Sequence, residues 1–390
     1  VFIAIAMLES LTDSENCDTV SHQHMKSLPS LQQLSSMPIF WDKEHRRMFQ
    51  NYGTTSFKHS EQEGKLWTGE FEMLARLLPE FPFSRTDWFW ARANIVSRNM
   101  QIPQEIFESV FLNEGEATQK ASLSKSQKKR MKKKKKKPLA ETIPIIVPLA
   151  DMLNHRGMLA NVTWCVNSET KMFEMRCVAP VRAGEGLYFN YGPQTASKYL
   201  LHYAFIPQDQ GEQCWFETSL GIETGGAGQK EEAFTLQSND DIGNSFCTFL
   251  THCRGSAGAT KREFTGLTPW SVENETVALE TAHAAIRGRL SSCQQITRHL
   301  RTCQQASFAT RACIDLLKGE SIFLRALLRV VEDASLLLSG DESLEVVMAD
   351  YGQAEWSSPT GWKRHVKFSP RYMMELCRIC STSGSAGGSP

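Results

Sequence analysis

Apolar residues in the front third of the chain recur at helical spacing. From Gln62 to Leu78 they fall at Phe71, Leu74, Ala75 and Leu78, and Pro79 and Pro82 follow as breakers. That period predicts an amphipathic helix ending near Leu78. A second helix is expected from Thr86, read as an N-cap followed by Asp87, through Trp88, Phe89, Ala93 and Val96 toward Arg98. Trp88, Phe89 and Trp90 read as core rather than as a ligand cage. Further along, the period changes. Ile143–Leu149 is apolar and rich in β-branched residues, Asn161–Val166 suits a strand, and Phe173, Met175 and Cys177 alternate with Glu174 and Arg176. Ala183-Gly184 predicts a turn and Leu187–Tyr191 another short strand. Helical spacing returns between Ala196 and Phe205 through Leu200, Leu201 and Ala204. After Gly211, a polar stretch with turns at Gly225–Gly228 and Gly255–Gly258 reads as loops between helices. Residues 277–304 and 307–338 are expected to be helical, and the Ser/Gly-rich end Ser381–Pro390 to be disordered.

Composition narrows the class. A chain of 390 residues can bury a real core in two or three lobes. Its 41% hydrophobic and 22% charged residues exclude a fibrous or wholly disordered polymer. The formal charge cancels, with 43 basic and 43 acidic residues, yet eleven of the basic ones lie between Ala117 and Ala140, where no acidic residue occurs. The remainder is acidic, 32 against 43, so any attraction to polyanions is confined to one segment. That segment, Lys128-Lys129-Arg130-Met131 and then Lys132–Lys137, repels itself and buries nothing. It reads as a disordered surface insertion, with a nuclear-import or polyanion-contacting patch as the other reading.

The longest apolar stretch, Val1–Leu8, falls short of the roughly 18 residues of a membrane span and lacks the charged start of a signal peptide. A soluble, monomeric, intracellular protein of the cytoplasm or nucleus is expected. Eleven cysteines without framework spacing suit buried thiols in a reducing compartment. Cys377 and Cys380 have C-x-x-C spacing, but no second pair or nearby His accompanies them, so no metal site is expected. The chain opens at Val1, without Met and already inside an apolar run, and so reads as a fragment whose natural start is missing.

Two blocks stand apart from scaffold sequence: Pro148-Leu149-Ala150-Asp151-Met152-Leu153-Asn154-His155, and Ala183-Gly184-Glu185-Gly186-Leu187-Tyr188-Phe189-Asn190-Tyr191-Gly192-Pro193. Each sets polar side chains inside an apolar run, where they need partners. Neither supplies a Gly-rich phosphate loop, a zinc quartet or a G-x-S-x-G serine, so NTP hydrolysis, zinc chemistry and α/β-hydrolase chemistry lack support.

In this pairing of blocks the chain resembles the SET-domain protein methyltransferases, in the class similar to plant Rubisco large-subunit lysine methyltransferase. An Asp-x-x-Asn-His block followed by a Gly-Glu…Tyr-Gly block flanks one active site in that class. Leu28-Pro29, Pro38-x-x-Trp41, Trp90-Ala91 and Ser97-Arg98 look like its helical insert and the segment after it. Leu200-Leu201-His202-Tyr203-Ala204-Phe205-Ile206 is similar to its "YGF" element, and Leu317-Lys318-Gly319-Glu320 through Leu328 to its helical substrate-binding lobe.

The resemblance implies an α+β fold: a SET-type β fold with a pseudoknot crossing, a helical insert and a C-terminal all-α lobe. On that pattern residues 1–93 are the helical insert region of a truncated SET domain. Residues 94–213 are the C-terminal part of the SET core, with the disordered Lys-rich insertion at 117–140. Residues 214–340 form the helical substrate-binding lobe, and 341–390 a tail, partly disordered. The implied activity is S-adenosylmethionine-dependent N-methylation of a lysine in a non-histone protein, which docks on the helical lobe. Asn154 and the backbone of His155 would hold S-adenosylmethionine, with Arg98 as partner of its carboxylate. Tyr191 would face the methyl group as the catalytic phenol and also border the cofactor. Tyr203 and Phe205 would close the target-lysine channel, and Asp151 would brace the crossing.

Chemistry is consistent with those roles. A free lysine, with a pKa of about 10.4, is mostly protonated at neutral pH, and desolvation beside a sulfonium disfavours the ammonium form. A tyrosine combines a rigid aromatic wall with one hydroxyl that orients the amine. Three departures are visible. The family's Gly-rich cofactor-binding strand has no counterpart upstream, Ala204 stands where the family has Gly and would narrow the channel, and Thr195-Ala196 replaces Ser-Asn. Two alternatives remain open at this level: a protein-histidine methyltransferase, and a catalytically silent SET-like interaction module.

Overall fold

The computed structural model describes residues 1–12, 19–51, 55–108, 142–167, 169–207, 214–223, 231–237, 242–256, 268–302, 307–347, 355–357, 363–365 and 370–384. The Lys-rich segment and the turn expected at Gly225–Gly228 lie outside them. The chain divides into two compact units: Val1–Leu34 with Lys65–Gly192, and Ser35–Gly64 with Pro193–Pro390. No described helix is long and apolar enough to cross a membrane.

The first unit begins with helices and ends in short strands. Ala4, Met7 and Leu8 of the helix Phe2–Thr12 are buried, on an element that packs against the helix Arg85–Arg98. The latter buries Trp88, Ala91, Ala93, Asn94 and Ile95. Its N-cap is Ser84 rather than the expected Thr86. Ser84 Oγ accepts from the Asp87 N–H at 3.2 Å, and the Asp87 carboxylate accepts from the Ser84 N–H at 2.9 Å. Two otherwise orphaned amides are satisfied reciprocally, and the helix starts two residues earlier than Thr86 would have started it. The preceding helix runs from Thr55 to Leu77 and buries Trp67 and Leu74.

Among the described residues, the strands of this unit begin at Met100. Met100–Pro103 pairs antiparallel with Thr142–Ile145, so the apolar run expected to reach Leu149 is extended only at its start. Val162–Asn167 and Met172–Cys177 form an antiparallel hairpin close to the expected alternation. Asn154–His155 and Tyr188–Phe189 pair in parallel, Asn154 opposite Tyr188 and His155 opposite Phe189. Parallel pairing of two short strands brings the two sequence blocks side by side.

The second unit is built on two long helices that pack together, Val272–Thr302 and Phe308–Ser339. Ser307 caps the second with its side chain, and Gly340 ends it with φ +76°, a conformation that suits glycine. The helices Ile242–Ser256 and Pro370–Gly384 pack against this pair. The lobe is not all-α. Glu217–Glu223 and Glu231–Gln237 form an antiparallel hairpin resting on its helices, and Cys214–Trp215 pairs in parallel with Gln194–Thr195. Phe216, Thr218, Leu220 and Ile222 are buried in strict alternation. Thr218 and Gly221 dilute the apolar signal, which is why this stretch reads as a polar loop from sequence. The final helix also takes in Ser381–Gly384, expected to be disordered; the helix carries its apolar face, Tyr372, Met373, Leu376 and Ile379, into the core.

Candidate active site

The first block enters its turn through strain. Leu149 has φ +71° and ψ −41°, a region that costs a non-glycine residue about 1–3 kcal/mol. A single 3-10 turn, Ala150–Met152, follows and buries Asp151. The chain then extends at Leu153 into the strand Asn154–His155, where Asn154 is exposed and His155 half-buried.

A buried asparagine ties the second block to the first. The Asn161 N–H donates to the Tyr188 carbonyl at 3.1 Å, the Tyr188 N–H donates to Asn161 Oδ1 at 2.8 Å, and Asn161 Nδ2 donates to the Gly186 carbonyl at 3.0 Å. The Arg156 N–H donates to the Phe189 carbonyl at 3.1 Å, continuing the parallel ladder. Arg156 also lies over the Tyr188 ring, 4.9 Å from its centroid. A Cβ at Gly186 would meet the Tyr188 ring at 2.9 Å, so a side chain there would have to displace that ring.

Tyr191 is fixed twice against the first block. Its hydroxyl donates to the Leu153 carbonyl at 2.8 Å, and its N–H donates to His155 Nδ1 at 3.0 Å. The His155 and Tyr191 ring centroids are 5.0 Å apart. An accepting Nδ1 needs its lone pair, so a neutral His155 carries its proton on Nε2. The phenol, with its proton directed to a carbonyl, is left as a hydrogen-bond acceptor.

Arg98 ends its helix and reaches the same turn. Its Nη1 donates to the Asp151 carbonyl oxygen at 2.9 Å and lies 3.9 Å from Asp151 Oδ2, while its Nε is buried without a hydrogen-bond partner. His24, from the helix Thr19–Ser27, lies on Asp151 Oδ2 at 3.2 Å. Burial pushes the Asp151 carboxyl above its usual range, against the opposing pull of His24 and then Arg98.

The structure therefore gathers Arg98, Asp151, Asn154, His155 and Tyr191 in one unit. Tyr203 and Phe205 belong to the other. There Tyr199, Tyr203 and Phe205 form an aromatic trio, with centroids 5.9, 5.5 and 6.2 Å apart. Gln194 Nε2 donates to the Tyr203 hydroxyl at 3.4 Å, and burial pushes the Tyr203 phenol pKa up. Ala204, the residue after the helix Ala196–Tyr203, has φ +60° and ψ +28°. Glycine is favoured there by the left-handed backbone, a reason distinct from the width of any channel.

Two residues of this region were missed in the sequence. Asn161 registers only as a strand start, since its role depends on a block 25 or more residues away. His24 carries no local signal, because its partner Asp151 lies far along the chain.

Arg98 keeps a buried Nε without a hydrogen-bond partner, and Asn154 is exposed on the strand that follows the Leu153 carbonyl to which the Tyr191 hydroxyl donates. Comparison with protein-family models finds no match, nor does comparison with curated proteins. Solved structures do match. The SET domain of LSMT bound to lysine and AdoHcy shares 18% identity at a TM-score of 0.56, covering 90% of this chain and 79% of that one. The same domain bound to MeLysine and AdoHcy shares 17% identity at 0.54, over 90% and 79%. Rubisco LSMT bound to AdoMet shares 17% identity at 0.53, over 90% and 83%. The chain has the fold of the SET domain of Rubisco LSMT.

Proposed function

We propose that this protein is an S-adenosylmethionine-dependent protein-lysine N-methyltransferase with a non-histone target. The observation that carries the reading is the double anchoring of Tyr191, through its hydroxyl to Leu153, just before the strand Asn154–His155, and through its amide to His155 within that strand. The neighbours support it, being bound to lysine, methyl-lysine, AdoHcy or AdoMet, and one of them is named Rubisco LSMT.

The parallel pair Asn154–His155 and Tyr188–Phe189 is read as the pseudoknot crossing, which Asp151 braces. Asn154, the backbone of His155 and Arg98 would hold the cofactor, with Tyr191 at its edge. When bound, S-adenosylmethionine supplies an electrophilic methyl group on a cationic sulfur. Tyr191 orients the incoming amine by accepting its hydrogen bond, and the aromatic surroundings favour the neutral amine by excluding water. Tyr203 and Phe205, rigid within their aromatic trio, would wall the acceptor side chain. The helical lobe on Val272–Thr302 and Phe308–Ser339 would dock the protein substrate.

Labelled methyl transfer from S-adenosylmethionine to proteins of a cell extract tests the reading. Transfer is expected with the wild type and lost by at least tenfold in Tyr191→Phe and in Asn154→Ala, on the scale at which a single orienting group contributes to a transition state. Undiminished transfer by Asn154→Ala would remove the cofactor assignment.

A further inference from the structure

At the Asp-x-x-Asn-His block lies a buried charge cluster in which the catalytic reading gives Arg98 and Asp151 roles and leaves His24 without one. The His24 and Asp151 side chains are 4% and 0% exposed, with 3.2 Å between Nε2 and Oδ2, and Arg98 Nη1 approaches the same oxygen at 3.9 Å from the other partner. The His24 ring is close enough to Asp151 Oδ2 to share a proton with it, while Arg98 Nε is buried without a hydrogen-bond partner.

A buried carboxylate is costly unless its charge is cancelled. A single proton shared by His24 and Asp151 cancels it, whether the imidazole or the carboxyl holds that proton. Either way the pair is neutral, and the guanidinium of Arg98 remains as an uncompensated positive charge. Without the imidazole, an ionised Asp151 would neutralise Arg98 instead, and an anion arriving at Arg98 would meet a carboxylate of like charge.

We propose that His24 is a positioning residue that neutralises Asp151, so that the charge of Arg98 stays available to a carboxylate, that of the cofactor's amino-acid tail. This rests on the reading of Arg98 given above. The signature is specific to the tail of the ligand, and a merely structural histidine would not produce it.

Calorimetric titration of the full chain with S-adenosylhomocysteine, which has the amino-acid tail, and with 5′-methylthioadenosine, which lacks it, provides the test. His24→Gln is expected to weaken S-adenosylhomocysteine binding about tenfold, the scale of one close charge pair, and to leave 5′-methylthioadenosine binding unchanged. The double variant His24→Gln/Asp151→Asn removes the carboxylate's charge and is expected to restore S-adenosylhomocysteine affinity. Unchanged S-adenosylhomocysteine affinity in His24→Gln, equal weakening of both ligands, or no recovery in the double variant would overturn the proposal. If the wild type bound 5′-methylthioadenosine alone, the assignment of Arg98 would fall while the adenosine site stood. If it bound neither, the cofactor reading itself would fall.

Discussion

Two of the three described non-glycine residues at positive φ lie within two residues of a proposed site residue in sequence. Leu149, at φ +71°, opens the turn that buries Asp151; Ala204, at φ +60°, closes the helix that carries Tyr203. The left-handed backbone penalises a Cβ, and glycine relieves it at the expense of extra unfolded-state freedom. Ala204→Gly is therefore expected to stabilise the protein by about 1 kcal/mol, read as a higher urea midpoint with an unchanged slope. A lower midpoint would mean that the Ala204 methyl makes packing contacts worth more than the strain. At this scale the site is partly legible in sequence. Asn154, His155 and Tyr191 are visible because polar residues interrupt apolar runs in two recognisable blocks. Asn161 and His24 are invisible because what defines them is a partner brought close only by folding.

Elements were legible where one side-chain period dominates. The helices Val272–Thr302 and Phe308–Ser339 and the hairpin of Val162–Asn167 with Met172–Cys177 follow their apolar patterns closely. The hairpin Glu217–Glu223 with Glu231–Gln237 did not announce itself, since Thr218 takes an inward position that an aliphatic residue usually fills. Its inward hydroxyl has a partner: Thr218 Oγ1 donates to Glu320 Oε1 at 2.7 Å, and Glu320 is also held by Arg289 through two bonds of 2.7 and 2.9 Å. A second such group joins three helices. Arg254 and Glu275, both fully buried, form two bonds of 2.7 Å, and the Tyr372 hydroxyl donates to Glu275 Oε1 at 2.5 Å. Removing one member strands a buried charge, whereas removing both charges does not. Arg254→Met is expected to destabilise the protein by about 3–5 kcal/mol, and Arg254→Met/Glu275→Leu to recover most of that in denaturant unfolding. Equal loss in the single and double variants would show that packing, rather than charge pairing, sets the cost.

The whole molecule owes its recognition to a small part of its length. Family models and curated proteins find no match, and the solved SET domains share only 17–18% identity, yet the fold covers 90% of the chain. The parallel pairing of the two blocks depends on a few hydrogen-bonded side chains, while the helices demand only a period that many sequences satisfy.

Stability of the whole chain should also depend on its buried thiols. Burial pushes Cys247 up to about 11, and Cys253, Cys293 and Cys313 up to about 12, from an ordinary 9.0. Because the folded values lie above the unfolded one, the thiols' contribution is fully present below pH 9 and is lost as pH climbs toward 11 and 12. Urea midpoints are expected to hold from pH 7.5 to 8.5 and to fall by pH 10.5, with a smaller fall in Cys293→Ala. An identical fall in that variant would assign the alkaline loss to other groups.

The most direct test of the central claim identifies the atom that receives the methyl group. Cell-extract proteins incubated with the wild-type protein and methyl-labelled S-adenosylmethionine would be hydrolysed to amino acids and their radioactive products separated. The account predicts label in Nε-methylated lysine, with none above background from Tyr191→Phe. Label in methylhistidine, or lysine labelling that survives Tyr191→Phe, would contradict it.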